Sequence, residues 1–199
     1  MTLMRSTLLA TALSLAAGSA FAGDVTAAQI SEALSPKAAT RSMTEPGSAG
    51  EEAAFFDTLR NRGTRSLSVA ERDRVAVIAA DRPKIDLEIS FAYNSAVIGD
   101  AALPILVALG QALSGMKDTV FLIAGHTDGV GGTAFNQRLS ERRAGTVKRF
   151  LVANYGIPAA DLVTVGYGKS RLKDPANPAA AVNRRVQVAN LSAWPTASR

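Results

Sequence analysis

The stretch T-V-F-L-I-A-G-H-T-D-G-V-G-G-T-A-F-N-Q-R-L-S-E-R-R, residues 119–143, decides how this chain is read. Val120 to Ala124 is an apolar run, too short for a helix and bounded by Gly125, and is predicted as a strand. A turn with one carboxylate, Asp128, follows it. There Gly129, Gly131 and Gly132 let the backbone bend tightly and approach a ligand closely. From Thr133 the pattern becomes that of an amphipathic helix, ending near Asn154-Tyr155-Gly156.

That helix has an unusual wheel. At about 100° per residue, Gln137, Arg138, Glu141, Arg142, Lys148 and Arg149 share a wet face. Phe135, Leu139, Ala144, Val147, Phe150 and Leu151 fill the opposite half. Asn136, Ser140 and Arg143 fall inside that apolar half and require partners, because an unpaired charge is costly there. Asp128 stands at the mouth of the turn feeding the helix, and two arrangements satisfy the pattern. One is an internal Arg143–Asp128 salt bridge locking turn to helix. The other is a pocket for a zwitterion, with Asp128 taking an ammonium and Arg143 a carboxylate through its planar fork.

The remaining chain divides by composition. Arg5, the apolar run from Leu8 to Ala17 and the Ala20-Phe21-Ala22 site make residues 1–22 a predicted signal peptide. The run is about half the length of a membrane span, so the mature form is expected to have no transmembrane span. Residues 23–50 are predicted as a flexible tether. A short helix over Asp24 to Leu34, with Val25, Ile30 and Leu34 as its apolar contacts, is followed by a Ser-, Thr-, Pro- and Gly-rich stretch. Residues 51–83 form a helical lead-in: one helix holds Phe55, Phe56 and Leu59. A second opens on the capping box Ser68 to Glu71 and carries Val75, Val77 and Ile78.

Ile85 to Phe91 alternates strictly and predicts a half-buried strand. Gly99 to Met116 is a helix with Pro104 in its first turn. Val163 to Gly168 and Asn183 to Leu191 are further strands, separated by a proline-containing loop. The order β-α-β-α-β-β predicts an α/β fold (α+β in its segregation), one mixed sheet with helices packed on it.

The 199 residues carry a formal net charge of +5 and no cysteine. The missing cysteine excludes a thiol nucleophile, Cys-based zinc sites and a lipidated N-terminal cysteine. The basic balance favours an acidic partner. No nucleic-acid partner is expected, since there is no dense basic run and few aromatics to stack on bases. The single histidine, His126, has neither a second His nor a Cys for a metal site, so no metal and no cofactor are expected. His126, Asp128 and Ser140 supply the residue types of a catalytic triad. However, the first two leave one strand end together and Ser140 lies on a helix, so no enzyme activity is expected. The glycine-rich turn lacks the Gly-Lys-Ser/Thr ending of a phosphate loop.

Gly125-His126-Thr127-Asp128, Gly131, Asn136, Leu139-Ser140, Arg143-Ala144 and Asn183-Arg184-Arg185-Val186 together resemble the OmpA C-terminal-like domain, a peptidoglycan-binding family. The resemblance covers about Ile85 to Leu191, placing the domain at 84–192 with a tail at 193–199. Phe91 and Asn94 also match its pattern, while Ala92 departs where an Asp is frequent.

The resemblance implies a non-catalytic periplasmic protein of a Gram-negative envelope, with outer-membrane association as an option. It would bind the diaminopimelate residue of the peptidoglycan stem peptide. By motif, Asp128 takes the ammonium and Arg143 the carboxylate, while Thr127, Asn136, Asn94 and Arg184 supply flanking hydrogen bonds. Backbone N–H groups from Gly129 to Thr133 would assist with the anion. Asn94 is equally readable as a turn former, and Arg184 and Arg185 compete for the pocket. An alternative keeps the fold but makes it a protein-interaction module, in which the lead-in helices dock an envelope protein partner and the pocket is closed.

Overall fold

The computed structural model describes residues 25–36, 48–60, 67–92 and 94–192. The expected signal peptide, the Ser/Thr-rich part of the tether and the tail lie outside these residues. Nine regular elements follow in order: α1 (Ala27–Leu34), α2 (Ser48–Leu59), α3 (Val69–Ala80), β1 (Lys84–Leu87), α4 (Leu103–Ser114), β2 (Phe121–His126), α5 (Thr133–Tyr155), β3 (Leu162–Gly168) and β4 (Val186–Asn190). From β1 onward this is the predicted β-α-β-α-β-β order. The sheet runs β1-β4-β2-β3. β4 is antiparallel to both neighbours and β2 is parallel to β3, which makes the sheet mixed.

Alternation along β2 sends side chains to two cores. Phe121 and Ile123 join Leu87, Val186 and Val188 on one face, under α1, α4 and α5. Leu122 and Ala124 join Val163, Val165, Tyr167 and Ala189 on the other, covered by Phe56, Leu59, Val75 and Ile78 of α2 and α3. β2 and β3 are therefore buried throughout, as a sheet clad on both faces requires. The lead-in helices commit these apolar side chains to the sheet. Ion pairs fasten them there: Arg82 to Glu52 (2.5 Å), Arg171 to Asp73 (2.9 Å) and Arg60 to Asp161. The capping box at Ser68 and Glu71 is formed as predicted. Val77, predicted as an apolar contact of α3, is instead 68% exposed, since its neighbours Val75 and Ile78 already point to the sheet.

The tether reading fails over its first part. α1 is packed, not loose: Ile30 and Leu34 are fully buried against α4 and the sheet. Its N-terminus is closed by a capping box between Thr26 and Gln29, and Asn190 Nδ2 donates to Leu34 O at 3.0 Å. Two large aliphatic side chains and one buried hydrogen bond offset the ordering of eight residues, despite the polar stretch beyond.

Three strands also differ in their bounds, and β4 runs over Val186–Asn190 rather than Asn183 to Leu191, since Asn183 closes a 3₁₀ turn. β1 stops at Leu87 rather than Phe91, because its partner β4 begins at Val186, after a single turn of 3₁₀ helix at Ala181–Asn183. Burial still alternates through Ile89, and the chain then doubles back, with Phe91 bridged to Ile98. β2 continues through Gly125 to His126. Gly125 is no stop: it lies opposite Gly166 of β3, and α5 lies against both. A Cβ on Gly125 would fall 2.2 Å from Ser140 O, and one on Gly166 would fall 2.6 Å from Glu141 N. Any larger residue at either position pushes the helix off the sheet.

Two substitutions test this packing by urea denaturation. Leu34→Ala should lower stability by about 2–4 kcal/mol if α1 is integral to the core, and no loss would return residues 25–36 to a tether. Gly125→Ala should cost about 1–3 kcal/mol or more through overpacking, although alanine is ordinarily the better strand residue.

Candidate functional site

The close approach of α5 fixes where its buried polar residues lie, and each finds a partner. Ser140 Oγ donates to Gln137 O at 2.8 Å and accepts from Gly168 N, also at 2.8 Å, joining helix to the end of β3. Asn136, 3% exposed, donates through Nδ2 to Val130 O at 2.7 Å and so pins the turn after β2. Glu141, predicted on the wet face, is buried. It accepts from Gln137 Nε2, which also donates to Gly166 O. The wide face that α5 sets on β3 reaches further round the wheel than apolar periodicity alone shows.

Arg143 is 8% exposed. Its Nε donates to Ser95 O at 3.0 Å, and its guanidinium lies over the Phe91 ring, 4.9 Å from the centroid. No carboxylate among the described residues forms an ion pair with it, so the predicted Arg143–Asp128 bridge does not form. Burial lowers its pKa, the Asp128 charge raises it, and the Arg184 and Arg142 charges lower it. Arg143, Asp128 and Arg184 are therefore in mutual electrostatic range.

The direct partner of Asp128 is Arg184. Nη1 of Arg184 lies 3.1 Å from Asp128 Oδ2, and the two side chains are 46% and 21% exposed. Asp128 Oδ1 accepts from Val130 N at 3.2 Å, and Arg184 Nη1 also reaches Ala179 O at 3.4 Å. The carboxylate is thus held near the surface by Arg184, and its charge also acts on the buried Arg143.

The remaining predicted residues support this arrangement. Thr127 is buried, its N–H donating to Gly168 O and its hydroxyl to Asp128 O. Asn94 is exposed at φ 51°. This left-handed geometry is one asparagine tolerates, and it turns the chain that presents Ser95 O to Arg143. The expected anion cradle is partly used internally: Gly129 N donates to Pro178 O at 2.7 Å, and Val130 N to Asp128. Gly131, at φ +84°, is the position in this turn that requires glycine. Sequence reasoning missed Ser95, whose contribution is a main-chain carbonyl and so has no residue signature. It also missed Pro178 and Ala179, which lie in a loop read only as a connector. Asn183 organises that loop: it is fully buried, accepts from Lys173 N and Asp174 N, and donates to Asp174 O, Asn177 O and Pro178 O.

Of the competing arginines, Arg184 faces Asp128 and Arg185 turns inward. Arg185 lies 3.3 Å from Asp86 Oδ1. Burial would raise the pKa of Asp86, but hydrogen bonds from Lys173 and Gln187 and the Arg185 charge outweigh it and hold that pKa down. His126 is beside this cluster, 3% exposed, with Nδ1 3.2 Å from Arg171 O. A carbonyl only accepts, so Nδ1 carries the proton. Burial, reinforced by Arg185, pushes the His126 pKa down to about 3. His126, Ser140 and Asp128 each bond elsewhere, and no triad is assembled.

A profile of the OmpA family matches residues 90–186. This segment is an OmpA-family domain. Outer membrane porin F of Pseudomonas aeruginosa is 34% identical over 110 residues, 54% of this chain and 31% of that protein. Outer membrane protein A of Shigella flexneri is 30% identical over 160 residues, 73% of this chain and 46% of that protein. The chain thus spans less than half the length of these curated relatives. Among solved structures, the peptidoglycan-associated lipoprotein from Burkholderia pseudomallei is 27% identical with a TM-score of 0.45, covering 57% of this chain and 92% of that one. Among the described residues no helix is long and apolar enough to cross a membrane.

His126 makes stability depend on pH. Its folded pKa lies below the unfolded value of about 6.5, so as pH falls the unfolded chain takes up a proton that the folded chain refuses. The full contribution is present above about pH 6.5 and is lost toward pH 3, at up to about 1.4 kcal/mol per pH unit. Asp86 acts in the same direction at lower pH, its contribution fading as its carboxyl protonates. Because His126 is the only histidine, urea titrations at pH 7, 6 and 5 isolate it. A flat profile would contradict its buried neutral state, and His126→Gln should flatten the wild-type slope.

Proposed function

We propose that the OmpA-family domain binds peptidoglycan without catalysis and holds the meso-diaminopimelate residue of the stem peptide between Asp128 and Arg143. The carrying observation is the state of Arg143. Its guanidinium is stacked on Phe91 and fixed by one Nε bond to Ser95 O, and it pairs with no acid among the described residues. With Nε occupied, a ligand carboxylate engages the two terminal nitrogens end-on, as a bidentate pair. Asp128, partly exposed and already accepting from Val130 N and Arg184, takes the neighbouring ammonium. A centre bearing one ammonium and one carboxylate on adjoining bonds supplies the opposite charges that this acid and arginine would take.

Thr127 and Asn136 shape the turn that carries Asp128. Asn94 shapes the turn that carries Ser95, and Arg184 flanks the ligand. The setting is the periplasm, where an exported protein meets the wall, and the curated relatives are outer-membrane proteins by name. Binding there links the cell envelope to the wall.

Co-sedimentation with purified sacculi tests this reading. The wild type should pellet, while Asp128→Ala and Arg143→Ala should bind roughly 10- to 100-fold more weakly, as loss of a charge-assisted hydrogen bond implies. Arg143→Lys should also fail to restore wild-type binding, because a lysine cannot hold Ser95 O, stack on Phe91 and grip a carboxylate with two donors. Equal pelleting of all variants, or release that tracks ionic strength alone, would refute it.

A further inference from the structure

The proposed diaminopimelate site has more positive charge than one amino-acid centre neutralises. Two guanidinium groups share the field of a single carboxylate: Arg184 is paired directly with Asp128, and Arg143 is buried on Ser95 O and Phe91. An ammonium and a carboxylate entering together leave that balance unchanged. Arg184 is also unlike Arg143 in its attachments. Only its Nη1 is committed, to Asp128 Oδ2 and Ala179 O, and its side chain is 46% exposed. Nε and Nη2 bond to none of the described residues. Ala179 belongs to the loop that Asn183 ties down, so the guanidinium is held rather than free to sweep the surface. Lys169 adds a further cation nearby, its Nζ bonded to Gly131 O at 2.7 Å on the turn carrying Asp128.

We infer that Arg184 is a specificity residue that binds a second carboxylate of the same ligand, so that the site selects stem peptides with two carboxylates for each ammonium. This rests on the reading that Asp128 and Arg143 hold diaminopimelate. In that ligand the second carboxylate is either the α-carboxylate of a terminal diaminopimelate or that of the preceding D-glutamate. Amidation of the relevant group removes the negative charge, leaves its shape nearly intact, and should be detected by Arg184.

Calorimetric titration of the purified protein with three synthetic peptides decides the matter. These are L-Ala-γ-D-Glu-meso-diaminopimelate, the same peptide amidated at D-glutamate, and the same peptide amidated at the diaminopimelate α-carboxyl. One amide should bind wild type about 10-fold more weakly than the parent, the scale of a charge-assisted bond, and it identifies which carboxylate is read. Arg184→Gln should weaken the parent peptide by a similar factor yet be insensitive to that same amidation. Wild-type affinities equal for all three peptides would overturn the inference while leaving the diaminopimelate site standing. Equal losses for Arg184→Gln with every peptide would also overturn it, reducing Arg184 to a support for Asp128. Absence of binding of the parent peptide by wild type would overturn both. If Arg184→Gln does not fold, Arg184→Lys, which keeps a cation beside Asp128 but lacks the planar fork, should show the same loss of sensitivity to that amidation.

Discussion

The site depends on the absence of two side chains. Gly125 and Gly166 lie side by side in adjacent parallel strands, and α5 settles into the space that their missing Cβ atoms leave. Only at that distance does Ser140 Oγ reach Gly168 N, and only then does Arg143, one turn further along α5, come under the loop at Ser95. Dispersion and hydrogen bonding fall off steeply over an ångström, so the binding geometry is set by backbone packing well below the surface. The charged groups are placed by this contact rather than placing themselves.

Above that contact the charges form a graded arrangement from wet to dry. Arg184 is half exposed, Asp128 is partly covered and Arg143 is nearly enclosed. Burial strips water from Arg143, and Phe91 together with Ser95 O replaces part of that hydration. The Arg185–Asp86 pair and His126 form a separate, inward-facing polar cluster. The two clusters diverge at adjacent residues, Arg184 and Arg185, where the 3₁₀ turn gives way to β4. One arginine of the pair is thereby a surface group on Asp128 and the other a core group on Asp86.

Much of this was legible in the chain. The order of strands and helices, the helix end at Gly156, the capping box at Ser68 and the three polar residues on the inner face of α5 all follow from periodicity and local chemistry. So does the inference that those polar residues need partners. The identities of the partners were not legible. Ser95 and Gly168 contribute main-chain atoms, whose availability depends on how distant segments meet, and Arg184 reaches Asp128 across 56 positions. The helix α1 was legible but its docking was not, because its two buried side chains are few by composition and only the packing against α4 and the sheet makes them sufficient. Gly125 was read as a boundary because a glycine between apolar residues looks the same from sequence whether it ends a strand or admits a helix.

The docking of α1 bears on how the fold would resist force. A pull applied at the N-terminal end of the folded chain meets α1 first, and α1 is held by two aliphatic side chains and the bond from Asn190 to Leu34. Such an attachment peels one turn at a time. β4, by contrast, is hydrogen-bonded along both edges to β1 and β2 and gives way only by shearing many bonds together. The early release of α1 would therefore act as a mechanical fuse, lengthening the chain under load while the sheet and its cluster of charges remain intact.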